Sequence, residues 1–230
     1  MTVRVDALAS MPLDPGESPP RPDPVTAALV RRASEGDGDA FAALVGRHER
    51  MVLRTAMRLL GRLDRAQDSA QETFLRLFRH LGRFDATREM GPFLYRVVVN
   101  VCRDLDRKSE RGRLVPLDET REERRAASRH GPAAFEDAVA RERQLRLVQE
   151  ALMTLPQKER AALVLRDLEG RPSPEVARIL GSSEGTVRSQ VASARLKIKR
   201  FIESRSGTGA QGTAGKARPE ASAETRDDDL

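Results

Sequence analysis

Ser173-Pro174-Glu175-Val176-Ala177-Arg178-Ile179-Leu180-Gly181-Ser182-Ser183-Glu184-Gly185-Thr186-Val187-Arg188-Ser189 reads as a helix, a tight turn and a second helix. Pro174 suits a first helical turn and Gly181 a helix stop. Ser182-Ser183 caps the helix that starts at Glu184 and runs to about Ile202. Across the turn Val176, Ala177 and Leu180 face Val187 and Val191, and the seam continues through Ala194, Ile198 and Phe201 at three- and four-residue spacing. That seam must face protein. Beside it Arg188, Ala192, Arg195 and Lys199 form an exposed stripe, joined at its N-terminal end by Thr186 and Ser189. Residues 184–200 carry five basic side chains and one acid. A basic stripe alone is often only the solvated face of a core helix. The capped turn, the glycine stop and the seam together favour a unit that enters the major groove, reading bases with its N-terminal side chains and holding phosphates with the rest. Arg188 is the candidate for a bidentate guanine contact, and the N–H groups from Ser183 to Thr186 for a phosphate.

Working outward, a helix from about 135 to 153 ends near Leu155-Pro156, and another from about 157 to 168 stops at Gly170. Residues 135–203 therefore form one small helical domain, with the helix-turn-helix at 173–202. Residues 25–110 form a second. Asp39 can cap a helix carrying Phe41, Leu44, Val45, Val52, Ala56 and Leu60, which Gly61 ends. Asp64 can cap the next, with Ala66, Ala70, Phe74, Leu77, Phe78 and Leu81 on one face and Gly82 as its stop. Pro92 opens a third, carrying Leu94, Val97, Val98, Val101 and Leu105. No period-two alternation persists, so the expected fold is all-α: two small helical domains joined by a flexible, charge-dense linker over 111–134, with room for a short helix at 119–127. Six of the 13 prolines fall in residues 1–24, which read as a disordered extension; 204–230 read as a disordered tail.

The chain has 230 residues, 41 Lys+Arg against 35 Asp+Glu, and a net charge of +6. The extension and the tail are both net acidic, so the body between them carries the basic excess and suits a polyanion. Only five of the basic residues are Lys, which fits phosphate and guanine contacts, although a GC-rich genome yields the same bias. One cysteine, Cys102, excludes a disulfide framework or thiolate cluster, and it reads as a small core residue. His48, His80 and His130 are too far apart for a local metal pair, so neither metal nor cofactor is expected. With no long apolar run and no leader pattern, membrane insertion is not expected, and the chain reads as cytoplasmic.

On the third helix Arg96, Asn100, Arg103, Arg107 and Arg111 recur at three- to four-residue spacing, opposite Leu94, Val98, Val101 and Leu105. Phe84, Phe93 and Tyr95 border the preceding loop. Cations for phosphates and flat side chains for stacking are what single-stranded DNA needs, at about 1–3 kcal/mol per stacked base. Taken singly, Phe93 and Tyr95 read more readily as core packing.

Two sets of motifs now carry a family resemblance. Asp68-Ser69-Ala70-Gln71-Glu72-Thr73-Phe74, Phe84-Asp85, and Pro92-Phe93-Leu94-Tyr95-Arg96 through Asn100-Val101-Cys102-Arg103-Asp104 resemble the second conserved region of bacterial sigma factors. Leu155-Pro156-Gln157-Lys158-Glu159-Arg160, Glu175-Val176-Ala177 and Gly185-Thr186-Val187-Arg188-Ser189 with Ala194-Arg195 resemble the fourth. With no third region between, the arrangement resembles the extracytoplasmic-function (ECF) group of the sigma-70 family. The resemblance implies a promoter-specificity subunit. Asp68, Gln71 and Glu72 would dock on the β′ clamp helices of core RNA polymerase, with the β flap as a second contact. Phe84, Asp85, Arg96, Asn100, Arg103 and Arg107 would hold the −10 element, trapping a flipped non-template base near the loop from Phe84 to Gly91. Ser183, Thr186, Arg188, Ser189, Arg195 and Lys199 would hold the −35 duplex. An anti-sigma partner is implied as well. Phe93 stands where the family usually has Trp, Gln67 where an acid is common, and Pro174 where an aromatic is frequent.

Two other classes fit the sequence less well. A stand-alone helix-turn-helix regulator requires a dimerisation surface, and no long coiled-coil seam lies outside the last helix. A nucleic-acid enzyme requires a phosphate-binding glycine loop, a metal cluster or a nucleophile–base pair, and none is visible; Glu122-Glu123 read as solvated linker charge. The expectation is a non-enzyme with no small-molecule substrate.

Overall fold

The computed structural model describes residues 23–112 and 132–208, with side chains over 23–108 and 143–205. All regular elements among them are helical. The first half holds α1 (Pro24–Ser34), α2 (Gly38–Leu60), α3 (Leu63–His80), a 3-10 turn (Leu81–Arg83) and α4 (Met90–Gly112). The second holds α5 (Pro132–Met153), α6 (Gln157–Leu163), a π turn (Val164–Leu168), α7 (Ser173–Leu180) and α8 (Glu184–Thr208). Apart from their ends, the extension 1–24, the linker 111–134 with its helix at 119–127, and the tail 204–230 lie outside the described residues. At those ends the chain is already helical, and α8 runs on to Thr208.

The sequence reading placed no helix at α1, yet its start signal is present. The Asp23 carboxylate accepts from the N–H of Val25 at 3.2 Å and the hydroxyl of Thr26 at 2.9 Å, with Pro24 at the first position. Asp37, not Asp39, caps α2: its carboxylate accepts from the N–H of Ala40 at 2.9 Å, the third-position bond a cap requires. Nor does Asp64 cap α3, which begins one residue earlier at Leu63. Asp64 instead occupies the positive first turn and pairs with Arg62 at 2.9 Å. Gly61 ends α2 in the left-handed region, φ 74°, donating to the carbonyl of Met57. Gly82 ends nothing; α3 runs into the 3-10 turn instead.

Leu44, Val52, Leu77, Leu94, Val98 and Val101 are completely enclosed where α2, α3 and α4 pack on one another. Phe78, expected on the buried face of α3, is 61% exposed and leans edge-on against Phe41, ring centroids 5.1 Å apart. In the second half Leu165, Val176, Val187 and Ala194 are enclosed beneath α8, which packs on α6 and α7.

The two halves also pack on each other, which the sequence reading did not foresee. One apolar cluster runs from Leu59, Leu60, Tyr95 and Val99 to Leu155, Ala161, Ala162 and Leu165. Arg160 of α6 donates to the carbonyl of Leu59, Gln157 donates to Asp106, and Glu169 after the π turn is held by side chains of α2 and α4. On α4 this contact covers Val99, and Cys102 is buried between it and Ser69 of α3.

Cys102 is the core residue expected. Burial, then the nearby Asp106 charge, push its thiol up to about 12 against the hydrogen bond it shares with Ser69. Its alkylation by iodoacetamide at pH 7.5 is expected to require unfolding. Labelling in the native protein as fast as in denaturant would contradict this.

Candidate nucleic-acid and partner-binding faces

The turn into α8 is built by Ser183. Its hydroxyl oxygen accepts from the N–H of Thr186 at 3.1 Å and lies 2.9 Å from the Thr186 hydroxyl. Gly181 makes the preceding turn at φ 63° and donates to the carbonyl of Ala177. Capping by Ser183 accounts for that N–H, while Thr186, Arg188 and Ser189 stand exposed on the first turns of α8. The Arg188 side chain is 70% exposed, with only Glu184 nearby at 3.8 Å. Lys199 is equally open, 3.7 Å from Glu203. Arg195 differs. Both carboxylate oxygens of Asp167, on the π turn, accept from its guanidinium at 2.8 and 2.7 Å. All six residues assigned to duplex DNA are thus exposed, Arg188, Arg195 and Lys199 along one stripe of α8 and Ser183, Thr186 and Ser189 at its start, with Arg195 already tied to its own domain. A fork pairing in solvent is worth little, so a phosphate can displace Asp167. Replacing Asp167 with Asn is expected to strengthen duplex binding two- to fivefold; unchanged affinity would show that Arg195 stays on Asp167 or does not touch DNA.

On α3 the buried face is Ala66, Ser69, Ala70, Thr73, Phe74 and Leu77, which leaves Asp68 and Gln71 exposed and Glu72 half-buried. Glu72 accepts from Arg76 at 2.7 Å, and Arg76 reaches Asp104 of α4 at 3.5 Å. Leu75 lies one turn and Phe78 two turns beyond Gln71, and both are exposed. They turn the strip from purely polar to mixed, which is the composition of a binding surface. Phe78 was expected in the core and Leu75 was passed over; the spacing of four from Gln71 to Leu75 and of three from Leu75 to Phe78 was the available signal.

The loop before α4 is shaped by Asp85. Its carboxylate accepts from the hydroxyl of Thr87 at 2.6 Å and the N–H of Thr87 at 2.9 Å, bonds that hold it below the usual carboxylate range. Asp85 therefore forms the loop, and its side chain is half open to solvent. Phe84 is half-buried and packs edge-on to Phe93, centroids 5.2 Å apart. On α4 Arg96, Asn100 and Arg103 are half-buried and Arg107 is exposed. Burial disfavours the charge on Arg96 and Arg103, and Arg107 adds repulsion at Arg103. Tyr95, a possible stacking ring, is 2% exposed: its ring lies under the Arg171 guanidinium at 5.1 Å and its hydroxyl donates to Glu169. Core packing, the alternative reading for Tyr95, is what the structure has. No cluster of metal-ligating side chains occurs among the described residues.

Comparison with known families matches residues 44–112 to Sigma-70 region 2 and residues 145–198 to Sigma-70, region 4. The ECF RNA polymerase sigma factor SigM of Mycobacterium tuberculosis strain H37Rv is 35% identical over 176 residues, covering 76% of this chain and 84% of that protein. The fold resembles the structure of CnrH in complex with the cytosolic domain of CnrY, with a TM-score of 0.56, 24% identity, and 78% of this chain and 98% of that one covered. It also resembles the sigma factor RpoE solved with the anti-sigma factor NepR from Bartonella quintana, with a TM-score of 0.54, 19% identity, and 71% and 96% covered.

Proposed function

The chain belongs to the ECF group of sigma-70 RNA polymerase sigma factors and directs promoter-specific transcription initiation, and from that membership we propose how its surfaces divide the work. The domain over 25–110 binds the β′ clamp helices of core polymerase through Asp68, Gln71 and Glu72, with Leu75 and Phe78 as the apolar part of the same face. The domain over 135–203 binds the −35 duplex through the N-terminal turns of α8. Arg188 reads a base edge, and Ser183, Thr186, Ser189, Arg195 and Lys199 hold phosphates. An open groove of about 470 Å³, whose apolar lining of Val148, Leu152, Leu163, Leu168, Ile198 and Ile202 is joined by Asp167, Glu203 and the phosphate-binding Arg195 and Lys199, is a seat for the β flap directly beside the DNA contacts.

The −10 element is held as single strand against the Phe84–Gly91 loop and the Arg96, Asn100, Arg103 and Arg107 stripe of α4. Extruding a base costs a few kcal/mol, and a pocket that binds it supplies a comparable amount. Melting is thus driven by binding, with no hydrolysis by the chain. The protein works in the cytoplasm, with the polymerase; no described helix is long and apolar enough to cross a membrane. An anti-sigma partner is part of this reading, supported by the anti-sigma factor bound to the RpoE neighbour.

The observation that carries the proposal is that one chain exposes both the Asp68–Gln71 strip and the Thr186–Arg188–Ser189 turn, neither of which is buried where its two halves meet. The test is binding of the labelled full chain to core RNA polymerase with the housekeeping sigma factor as competitor. Saturable, competed binding is expected. Absence of binding by both the full chain and residues 25–203, together with tight binding to duplex DNA alone, would favour a stand-alone regulator.

A further inference from the structure

We infer that the contact between the two halves is an autoinhibitory clasp, in which Glu169 holds the chain closed, covering one flank of the −10 stripe while leaving the polymerase-facing strip of α3 free. The inference rests on the assignment of the stripe to −10 DNA proposed above.

The Glu169 side chain is 1% exposed, and its partners all come from the other half of the molecule. Arg54 donates to its carboxylate from Nη2 at 2.7 Å and Nε at 3.3 Å, Arg58 from Nη1 at 2.7 Å, Tyr95 from its hydroxyl at 3.0 Å, and Thr55 from its hydroxyl at 3.2 Å. Burial alone would raise the carboxyl pKa, but the bonds from Arg54 and Tyr95 and the charges of Arg54 and Arg58 hold it below the usual value. A buried carboxylate is tolerated only when its lone pairs are filled, and these are filled only while the halves touch. Glu169 also sits just before Gly170, whose φ of 69° turns the chain so that Arg171 covers the Tyr95 ring.

The consequence falls on α4. Tyr95 is taken up by the clasp, and Arg103 lines a crevice with Cys102, Asp106, Gln157 and Arg160 against α6. Strand capture along α4 therefore competes with closure. Meanwhile α3 packs on α2, α4 and the 3-10 turn, so Asp68 and Gln71 stay open. Closure thus gates DNA capture and leaves polymerase docking available, a two-state device whose balance DNA and polymerase can shift.

Three measurements on the full chain test this: radius of gyration by small-angle scattering, affinity for a fluorescent pool of random single-stranded 12-mers, and affinity for core polymerase. Glu169→Ala is expected to enlarge the radius of gyration and tighten single-strand binding at least fivefold, with core affinity changed less than twofold. The pair Arg54→Ala and Arg58→Ala should produce the same expansion, and adding it to Glu169→Ala should expand the chain no further. A lock supplies the converse. A Cβ built on Gly61 lies 3.0 Å from Cγ of Met153 across the contact, so Gly61→Cys with Met153→Cys places two thiols within disulfide reach, and the strain of a cysteine at φ 74° is shared by the oxidised and reduced forms that are compared. The oxidised protein should lose single-strand binding at least fivefold and regain it on reduction. Native helicity with an unchanged radius of gyration in Glu169→Ala, or equal strand binding by locked and reduced protein, would overturn the clasp. If Glu169→Ala loses helicity, the locked chain with and without reductant decides. If no form binds single strands, the −10 assignment falls, and the radius of gyration still decides whether the clasp exists.

Discussion

Replacing Arg188 with Ala is expected to weaken promoter binding by the polymerase-bound protein between about fivefold and a hundredfold, the range set by roughly 1–3 kcal/mol for a bidentate base contact. The loss should concentrate on the −35 half of the site, and affinity for core polymerase should stay as it was. The side chain is 70% exposed and only loosely paired with Glu184, so truncation costs the fold nothing. Arg188→Lys separates the two possible origins of the effect. A phosphate contact tolerates any cation, whereas a guanine read by two parallel donors does not. Arg188→Lys is therefore expected to retain most of the salt dependence and lose most of the sequence preference. Lys199→Ala should do the reverse, lowering binding on all sequences alike and flattening the salt slope by about one unit. Competition gel shifts at two salt concentrations measure both. Equal loss of core binding in Arg188→Ala would show that the change disturbs the domain rather than the readout.

The second large effect is expected on α3. Changing Gln71 and Glu72 together to Ala should weaken core polymerase binding at least tenfold, because a few central residues carry most of an interface's energy. Binding of the −35 duplex should be unchanged. Neither side chain is in the core. Glu72 does hold Arg76, but the pair is partly exposed, and Arg76 keeps Asp104 as an alternative partner. Phe78→Ala should add to the loss, since the ring is 61% exposed and packs edge-on against Phe41. Fluorescence anisotropy of labelled protein titrated with core polymerase checks both. Unchanged affinity in the double variant would remove this strip from the interface.

How much of this was legible in the chain differs from element to element. The α7–turn–α8 unit could be read directly because every signal was local: the apolar spacing of Val187, Val191 and Ala194, the Gly181 stop and the Ser183 cap all lie within about twenty residues. The three long helices of the first half followed from the same periodicity. Their caps slipped by a residue or two, since Asp37 and Asp39 compete as caps and only backbone geometry decides between them. Phe78 was misplaced because a helix at its position can offer the ring either to the core or to Phe41 beside solvent, and periodicity does not distinguish the two. The largest gap was the contact between the halves. Glu169 meets Arg54, Arg58 and Tyr95 across separations of 74 to 115 residues, and nothing in the local pattern of a glutamate beside Gly170 announces a buried ion cluster. The same contact buries Tyr95, whose place beside a DNA-binding loop had left both readings open.

The most direct test of the whole account is run-off transcription by core polymerase on a pool of genomic fragments from the source organism, with and without the protein and with no other sigma factor added. Discrete start sites that appear only with the protein, preceded by two short shared motifs at a fixed separation, are expected. Permanganate should react with thymines in the downstream motif before any nucleotide is added. Transcripts without shared motifs, or none beyond those made by core polymerase alone, would contradict it.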